Sequence, residues 1–362
     1  MGYGFSVSRG NGCLTGGRKR STLGVIVNRF APQPRITIAD VAKYAGVSKT
    51  TVSHVLSRKR PVSTATTARV VEAIRALGYR PDGMARSLRT RTSQMVALVI
   101  PDITNPYYPV LARGLEDGLG GTTYRSLICN TDRHPEREVE FLADVCDRGV
   151  DGIVLDSFTL TGERLARLVP PGVSLVRIGT TVIDDPGFDT VHADDEQGAF
   201  DATTHLIRRP SRRVAMIQGP PGAGGRRHQG YARALRTSGV PDPELALPGE
   251  GTRHGGAAAM RRLLALPDPP RAVFCANDLM AFGAMDAVRE AGLAIPRDLA
   301  VAGFDDIEAA AMIHPPLTTV SNPAYETGLL AGALLKERML GVYRDAPRTV
   351  TLPCRLIRRA TA

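Results

Sequence analysis

The stretch ADVAKYAGVSKTTVSHVL, Ala39 to Leu56, carries two apolar helical stripes separated by a single glycine. Just upstream, Thr37 and Asp40 have the spacing of a capping box, and Ile38, Val41, Ala42 and Ala45 fall on one side of a helix of period 3.6. Gly46 stands where that helix has to end, because an abrupt turn needs the positive φ that glycine adopts without a Cβ clash. Ser48 is the predicted cap of a second helix. In it Val52, Val55 and Leu56 cluster inward, while Lys49, Thr50, Ser53 and His54 occupy the other face, where they can hydrogen-bond or meet phosphate. A third amphipathic helix follows from a cap near Ser63, with Val70, Ile74 and Leu77 inward and Gly78 and Pro81 stopping it. Three short helices around a tight glycine turn make a helix-turn-helix unit; the bland alternative is an ordinary small helical bundle.

Charge favours the DNA-reading alternative. Residues 1–94 hold 17 Lys and Arg against 3 Asp and Glu, leaving 29 against 33 for the rest of the 362-residue chain, whose formal net charge is +10. A basic N-terminal quarter on a mildly acidic body implies a polyanion-binding module attached to something with another job. The five cysteines, Cys13, Cys129, Cys146, Cys275 and Cys354, are scattered without C-x-x-C spacing, which fits reduced thiols in a cytosol better than a disulfide framework or a metal site. No stretch approaches the roughly 18 apolar residues of a membrane span. The run LGVIV, after Arg18, Lys19 and Arg20, is shorter than a signal-peptide core of about 7 to 15 residues. A cytoplasmic location, without membrane contact, is therefore expected. Residues 1–34, rich in Gly, Ser and Arg, are predicted to be a disordered extension.

From Gln94 onward short apolar runs recur: MVALVI, SLIC, GIVL, SLVRIG, then VAMIQG, AVFCAN and LAVAGF, with amphipathic stretches between them. Strand, helix, strand repetition predicts an α/β fold of doubly wound parallel sheets, and seven runs with a restart after His192 predict two such lobes. Ligands of open parallel sheets bind beyond the strand C-termini. Attention therefore falls on PDITNPYY, on QGPPGAGGRRHQG, on AND at residues 276–278, and on Asp305 and Asp306.

The segment ITIADVAKYAGVSKTTVSHVL, Ile36 to Leu56, resembles the headpiece of the lactose-repressor and galactose-repressor (LacI/GalR) family of bacterial transcription factors. The strand-end motifs and PPLTTV, Pro315 to Val320, resemble that family's effector domain, itself similar to periplasmic sugar-binding proteins, so the resemblance covers Arg35 to Ala362. It implies a helix-turn-helix headpiece over 35–80 and a hinge helix over 81–93. It further implies a periplasmic-binding-protein-like body, with an N-lobe of 94–192 and 321–343 and a C-lobe of 193–320 and 344–362. Lys49, Thr50 and His54 are implied to read base edges, a role that ammonium, hydroxyl and imidazole groups can fill in the major groove, and Ser48 and Ser53 suit phosphates. In the hinge, Leu88 is implied as a minor-groove wedge and Ala85 as a small helix contact. Asp82 departs from the family's usual asparagine there.

For the ligand cleft the resemblance points to Arg227 as the central cation, Asn277 and Asp305 as its hydrogen-bonding companions, and Tyr107 and Tyr108 as pocket aromatics. Such a set can grip vicinal hydroxyls or a heterocycle edge. Each residue also has a local reading: Asn277 as a turn residue, Arg227 as a surface cation, Asp305 as a helix cap. Near Gly251 the family usually presents a tryptophan or phenylalanine, and GEGTRHGG offers neither.

Two rival readings fit the sequence less well. An α/β enzyme would need a catalytic motif, but GPPGAGGRR lacks the G-K-[ST] ending of a phosphate loop, and neither H-E-x-x-H nor G-x-S-x-G occurs. A sugar-binding protein without a DNA role would not need the basic helix-turn-helix. The expectation is a non-enzymatic, dimeric, ligand-responsive repressor of a pseudo-palindromic double-stranded DNA operator, controlled by a sugar-like or nucleoside-like small molecule, with no cofactor and no metal.

Overall fold

The computed structural model describes residues 36–57, 60–79, 92–157, 159–179, 187–208, 213–220, 223–239 and 245–362. The chain divides into two units, Met1–Asp82 and Gly83–Ala362. The expected extension over 1–34 and the hinge residues Ala85 and Leu88 lie outside the described residues.

In the first unit α1 spans Ile38–Ala45, α2 Lys49–Ser57 and α3 Thr64–Leu77. The caps follow from local chemistry. Asp40 Oδ2 accepts the Thr37 N–H at 2.8 Å and the Thr37 hydroxyl at 2.7 Å. Gly46 ends α1 in the left-handed region at φ 62, and Ser48 Oγ accepts the Thr51 N–H at 3.0 Å at the start of α2. Ser63 Oγ does the same for Thr66 N–H at 3.3 Å, and Gly78 closes α3 at φ 62. Val41, Val52, Val70 and Ala73 form a fully buried core. Each valine gains about 1.5–3 kcal/mol from leaving water, which a unit this small needs. One expectation is corrected: Leu56 is 37% exposed and stays outside this core, because only Val52 and the half-buried Val55 on that stripe of α2 meet the neighbouring helices.

The second unit alternates strands and helices around three sheets. The largest has six parallel strands: β1 Met95–Ile100, β2 Arg125–Asn130, β3 Gly152–Asp156, β4 Ser174–Ile178, β5 Asp189–Ala193 and β11 Thr349–Leu352, in the order β11-β5-β4-β3-β1-β2. A four-stranded parallel sheet contains β6 Val214–Gln218, β7 Ala246–Pro248, β8 Ala272–Cys275 and β9 Ala300–Ala302, in the order β7-β6-β8-β9. An antiparallel pair joins β10 Thr319–Ser321 to β12 Arg355–Ile357. The sheets define two lobes, an N-lobe on the first and a C-lobe on the second.

The remaining helices are α4 Tyr107–Gly118, α5 Pro135–Asp147, α6 Gly162–Leu168, α7 Asp195–Ile207, α8 Ala223–Thr237, α9 Arg253–Leu264, α10 Asp278–Glu290, α11 Glu308–Met312 and α12 Ala324–Met339. After β10 the chain returns to the N-lobe as α12, which packs along α4 with backbones almost touching. A Cβ on Gly114 would lie 2.1 Å from Tyr325 O, one on Gly118 2.2 Å from Leu329 O, and one on Gly328 2.0 Å from Leu111 O. Glycines four apart on each helix thus let the two meet along one seam, which holds α4, the helix that carries Tyr107 and Tyr108 in its first turn, against α12.

The expected lobe boundary at 343 is corrected. Residues 344–352 stay with the N-lobe: β11 pairs with β5 from Thr349↔Thr190 to Leu352↔Ala193, and the chain crosses to the C-lobe only before β12. Asp189 pins this arrangement, accepting from Arg338 on α12 at 2.7 Å and from Arg348 at 2.9 Å. Burial pushes the Asp189 carboxyl up, but the two guanidinium groups outweigh it and hold it at about 2. Among the described residues no helix is long and apolar enough to cross a membrane, and Cys129, Cys146, Cys275 and Cys354 are free thiols.

Candidate functional site

Two surfaces carry the chemistry expected of the sequence, one in each unit. On α2, Lys49 and Thr50 are exposed at the first turn, and Ser53 and His54 follow, half-buried, one turn further on. Spacing of four residues puts Lys49 above Ser53 and Thr50 above His54, giving one polar stripe opposite Val52. Ser48 differs from the others: its side-chain oxygen is engaged by the Thr51 N–H and lies 2.8 Å from the Thr51 hydroxyl.

In the second unit a cleft, open to solvent at its mouth, lies between the two lobes. Its walls come from residues just past the strand C-termini: Tyr107 and Tyr108 after β1, Asp156 closing β3, Arg227 on α8 after β6, Asn277 after β8 and Asp305 after β9. All five residues expected to bind a ligand meet there.

Arg227 is the centre of the C-lobe wall. It is only 7% exposed, so the surface-cation reading fails. Its Nε donates to Asp195 Oδ1 at 2.7 Å, Nη1 donates to the Ala276 carbonyl, and Nη2 stands 3.3 Å from Asp305 Oδ1. The guanidinium plane lies over Phe304, 3.7 Å from the ring centroid. Burial works against its charge, but Asp195 and Asp305 more than offset that and lift its pKa above the ordinary value. Asp305 adopts φ 107 and accepts from Asn322 Nδ2 at 3.1 Å; it is no helix cap. Burial raises its carboxyl, with Arg227 and Asn322 pulling the other way. Asn277 does act locally, since its Oδ1 caps α10 by accepting the Met280 N–H at 2.8 Å. Its Nδ2 reaches across to the Gly251 carbonyl at 3.0 Å.

The N-lobe wall is aromatic and acidic. Tyr107 and Tyr108 meet edge to face with ring centroids 5.2 Å apart. Tyr108 donates its hydroxyl to Asp156 Oδ2 at 2.9 Å. Burial pushes Asp156 up to about 7, and repulsion from Glu138 and Asp195 adds to it against the Tyr108 hydrogen bond and Arg227. Both tyrosines are driven well above 10, first by burial and then by Asp156. With paired cations, buried carboxyls and amides beside two rings, the cleft offers many directional hydrogen bonds and one stacking wall, the equipment for a polar, hydroxyl-bearing ligand.

Asp195, Asp156 and Arg133 are cleft residues that the sequence reading did not single out: Asp195 lies in DDEQG after β5, and Asp156 and Arg133 are polar residues at or just beyond the ends of β3 and β2. The strand-end rule reaches all three. Among the described residues no group of three or more His, Cys, Asp or Glu side chains could hold a metal ion.

Both units have counterparts among known proteins. Residues 37–82 match bacterial regulatory proteins of the lacI family, and residues 203–362 match the periplasmic binding protein-like domain. Catabolite control protein A of Priestia megaterium is 35% identical over 308 residues, 84% of this chain and 92% of that protein. The HTH-type transcriptional repressor CytR of Escherichia coli K12 is 35% identical over 336 residues, 90% of this chain and 96% of the relative. The solved complex of the transcriptional regulator CelR with cellobiose superposes with a TM-score of 0.69 at 32% identity, covering 91% of this chain and all of the other. With a family model over the helix-turn-helix unit and relatives at 35% identity along most of its length, the chain belongs to the lacI family of bacterial regulatory proteins.

Proposed function

We propose that this chain is a cytoplasmic, dimeric, ligand-responsive transcriptional repressor that binds a pseudo-palindromic DNA operator and does no catalysis. The observation that carries the reading is the coexistence of the α2 polar stripe, Lys49, Thr50, Ser53 and His54, with a buried polar cleft in the same chain. A symmetric dimer presents two copies of α2 to two half-sites, which makes the operator's symmetry a geometric consequence. In this reading Lys49, Thr50 and His54 meet base edges and Ser48 and Ser53 meet phosphates. Leu88 and Ala85 serve a hinge at the minor groove.

The effector sits among Tyr107, Tyr108, Arg227, Asn277 and Asp305. A ligand that binds one arrangement of the lobes better than another shifts the population between them, and with it DNA affinity. The cellobiose complex of CelR supports a saccharide, and the tyrosine pair, whose rings can stack on a heterocycle, keeps nucleosides in the test.

The test is selection of bound duplexes from a random library by the full chain, followed by gel shifts of the enriched site with cellobiose, ribose, cytidine and adenosine. Enrichment of a two-fold symmetric site, with its affinity altered by one of these compounds, is the expected result. Recovery of no preferred sequence at moderate salt sinks the proposal.

A further inference from the structure

Three non-glycine residues in the left-handed backbone region meet across the mouth of the cleft: Asp132 at φ 51, Arg133 at φ 63 and Glu250 at φ 57. Left-handed backbone costs free energy for residues with a Cβ and persists where surrounding contacts enforce it, often at ligand clamps. Those contacts are visible on the N-lobe side. Thr131 N–H donates to the Ile100 carbonyl at 2.9 Å, Ile103 N–H to Asn130 Oδ1 at 2.8 Å, and Asn130 Nδ2 to Asp132 Oδ1 at 2.5 Å. The loop after β2 is therefore tied to the loop after β1, and Arg133 is held at their junction.

Arg133 then touches both lobes. Its Nη2 lies 2.8 Å from Asp102 Oδ2 in its own lobe, and its Nη1 donates to the Glu250 carbonyl of the C-lobe at 2.9 Å. Gly251 makes room: at φ 72, a Cβ there would stand 3.1 Å from Arg133 Nη2. The ion pair is also sheltered, with side-chain exposures of 23% for Arg133 and 17% for Asp102, so water screens it less than a surface pair. A planar fork with fixed donors can hold a carboxylate and a carbonyl at once, which an ammonium does less well.

We propose that Arg133 is an interlobe latch: anchored by Asp102 and closing on the Glu250 carbonyl, it holds the cleft shut and sets how readily a ligand enters and leaves. Its consequence for regulation rests on the reading of the cleft as an effector site, but the latch itself is measured with no ligand present.

The experiment is pulsed electron spin resonance on the full chain with one spin label per lobe. The labels sit at Glu140→Cys on α5 and Arg262→Cys on α9, both exposed positions. The background carries Cys13→Ser, Cys146→Ser and Cys354→Ser, leaving the buried Cys129 and Cys275. Arg133→Ala is expected to move the interlobe distance to longer values and broaden it, with an unchanged unfolding temperature. Asp102→Asn should shift it in the same direction by less, since an amide oxygen still supports the Thr104 turn that Asp102 Oδ1 makes at 2.9 Å. A distance distribution for folded Arg133→Ala that overlays the wild type overturns the latch. Should that variant fail to fold, Asp102→Asn decides by itself, and an unchanged distribution again overturns it. Operator selection on the same samples separates the two proposals: a chain that opens on loss of Arg133 yet selects no DNA retains the latch and loses the repressor reading.

Discussion

The Nε of Arg227 lies 2.7 Å from Asp195 Oδ1, and both side chains are more than nine-tenths buried. With Asp305 at 3.3 Å the guanidinium is shared between two carboxylates at the base of the cleft. Arg227 therefore has a structural task as well as a ligand-facing one. Arg227→Ala strands two buried acids and is expected to destabilise the second unit by about 3–5 kcal/mol. Thermal or urea unfolding reads this directly. The folded fraction should bind operator with wild-type affinity and no longer respond to the effector. Wild-type stability together with an intact response would remove Arg227 from the centre of the site.

Asp156 gives the cleft a pH dependence whose sign can be worked out. Its carboxyl is held at about 7 in the fold, against about 3.9 for an ordinary aspartate. Below pH 4 the folded and unfolded chains are both protonated, so the stability it allows is fully present. Between about pH 4 and 7 the unfolded chain releases the proton first, and stability falls as pH rises. Asp156→Asn keeps an oxygen to accept the Tyr108 hydroxyl and abolishes the titration. Its unfolding temperature should exceed the wild type's at pH 8 and match it at pH 4. Equal differences at both values would show that burial is not governing this group.

Much of the headpiece was legible because its signals are local. Thr37 with Asp40, Gly46, Ser48 and Ser63 each act within four residues of themselves, so sequence spacing contains the whole interaction. Leu56 was misread because its place depends on whether another helix covers that end of α2. Strands β5 and β11 have no apolar run to mark them. DTVHA is buried throughout, with Asp189 satisfied by Arg338 and Arg348 and His192 by Thr351 at 3.1 Å, partners about 150 residues away that no window can contain. The cleft divides the same way. Arg227 and Asn277 follow recognisable strand-end motifs, whereas Asp195 is an unremarkable acid until the fold sets it against Arg227.

The seam between α4 and α12 offers a test of packing apart from chemistry. A methyl group on Gly118 would have to displace the Leu329 carbonyl, 2.2 Å from its Cβ position, so the helices must separate. Gly118→Ala is expected to cost about 1–3 kcal/mol, against the gain of up to ~1 kcal/mol that alanine normally brings to a helix. Gly225→Ala on α8, where nothing lies within 4 Å of the added atom, is the control and should be neutral or stabilising. Calorimetry on the pair decides it: equal unfolding temperatures for the two variants would mean that the seam is looser than described.

The cap and the first turn of α2 should behave differently. Ser48 spends its side-chain oxygen on the Thr51 N–H, so Ser48→Ala removes a helix cap worth about 0.5–2 kcal/mol and should weaken DNA binding partly by loosening the recognition helix. Lys49 and Thr50 are exposed and support no described packing, so Lys49→Ala and Thr50→Ala should leave unfolding of the first unit unchanged. Their losses should appear only on DNA. Each base-edge contact removed is worth about 1–3 kcal/mol of discrimination against the wrong base, so binding to the selected operator should fall while binding to random duplex persists. Residues 35–94 carry 12 Lys and Arg against 3 Asp and Glu, so the affinity of every variant should also drop steeply with salt. Titrations of operator and random duplex at several salt concentrations, with unfolding of the first unit followed in parallel, make the comparison. If Lys49→Ala and Thr50→Ala keep wild-type discrimination, base reading belongs to a different face of the headpiece and the assignment of α2 fails.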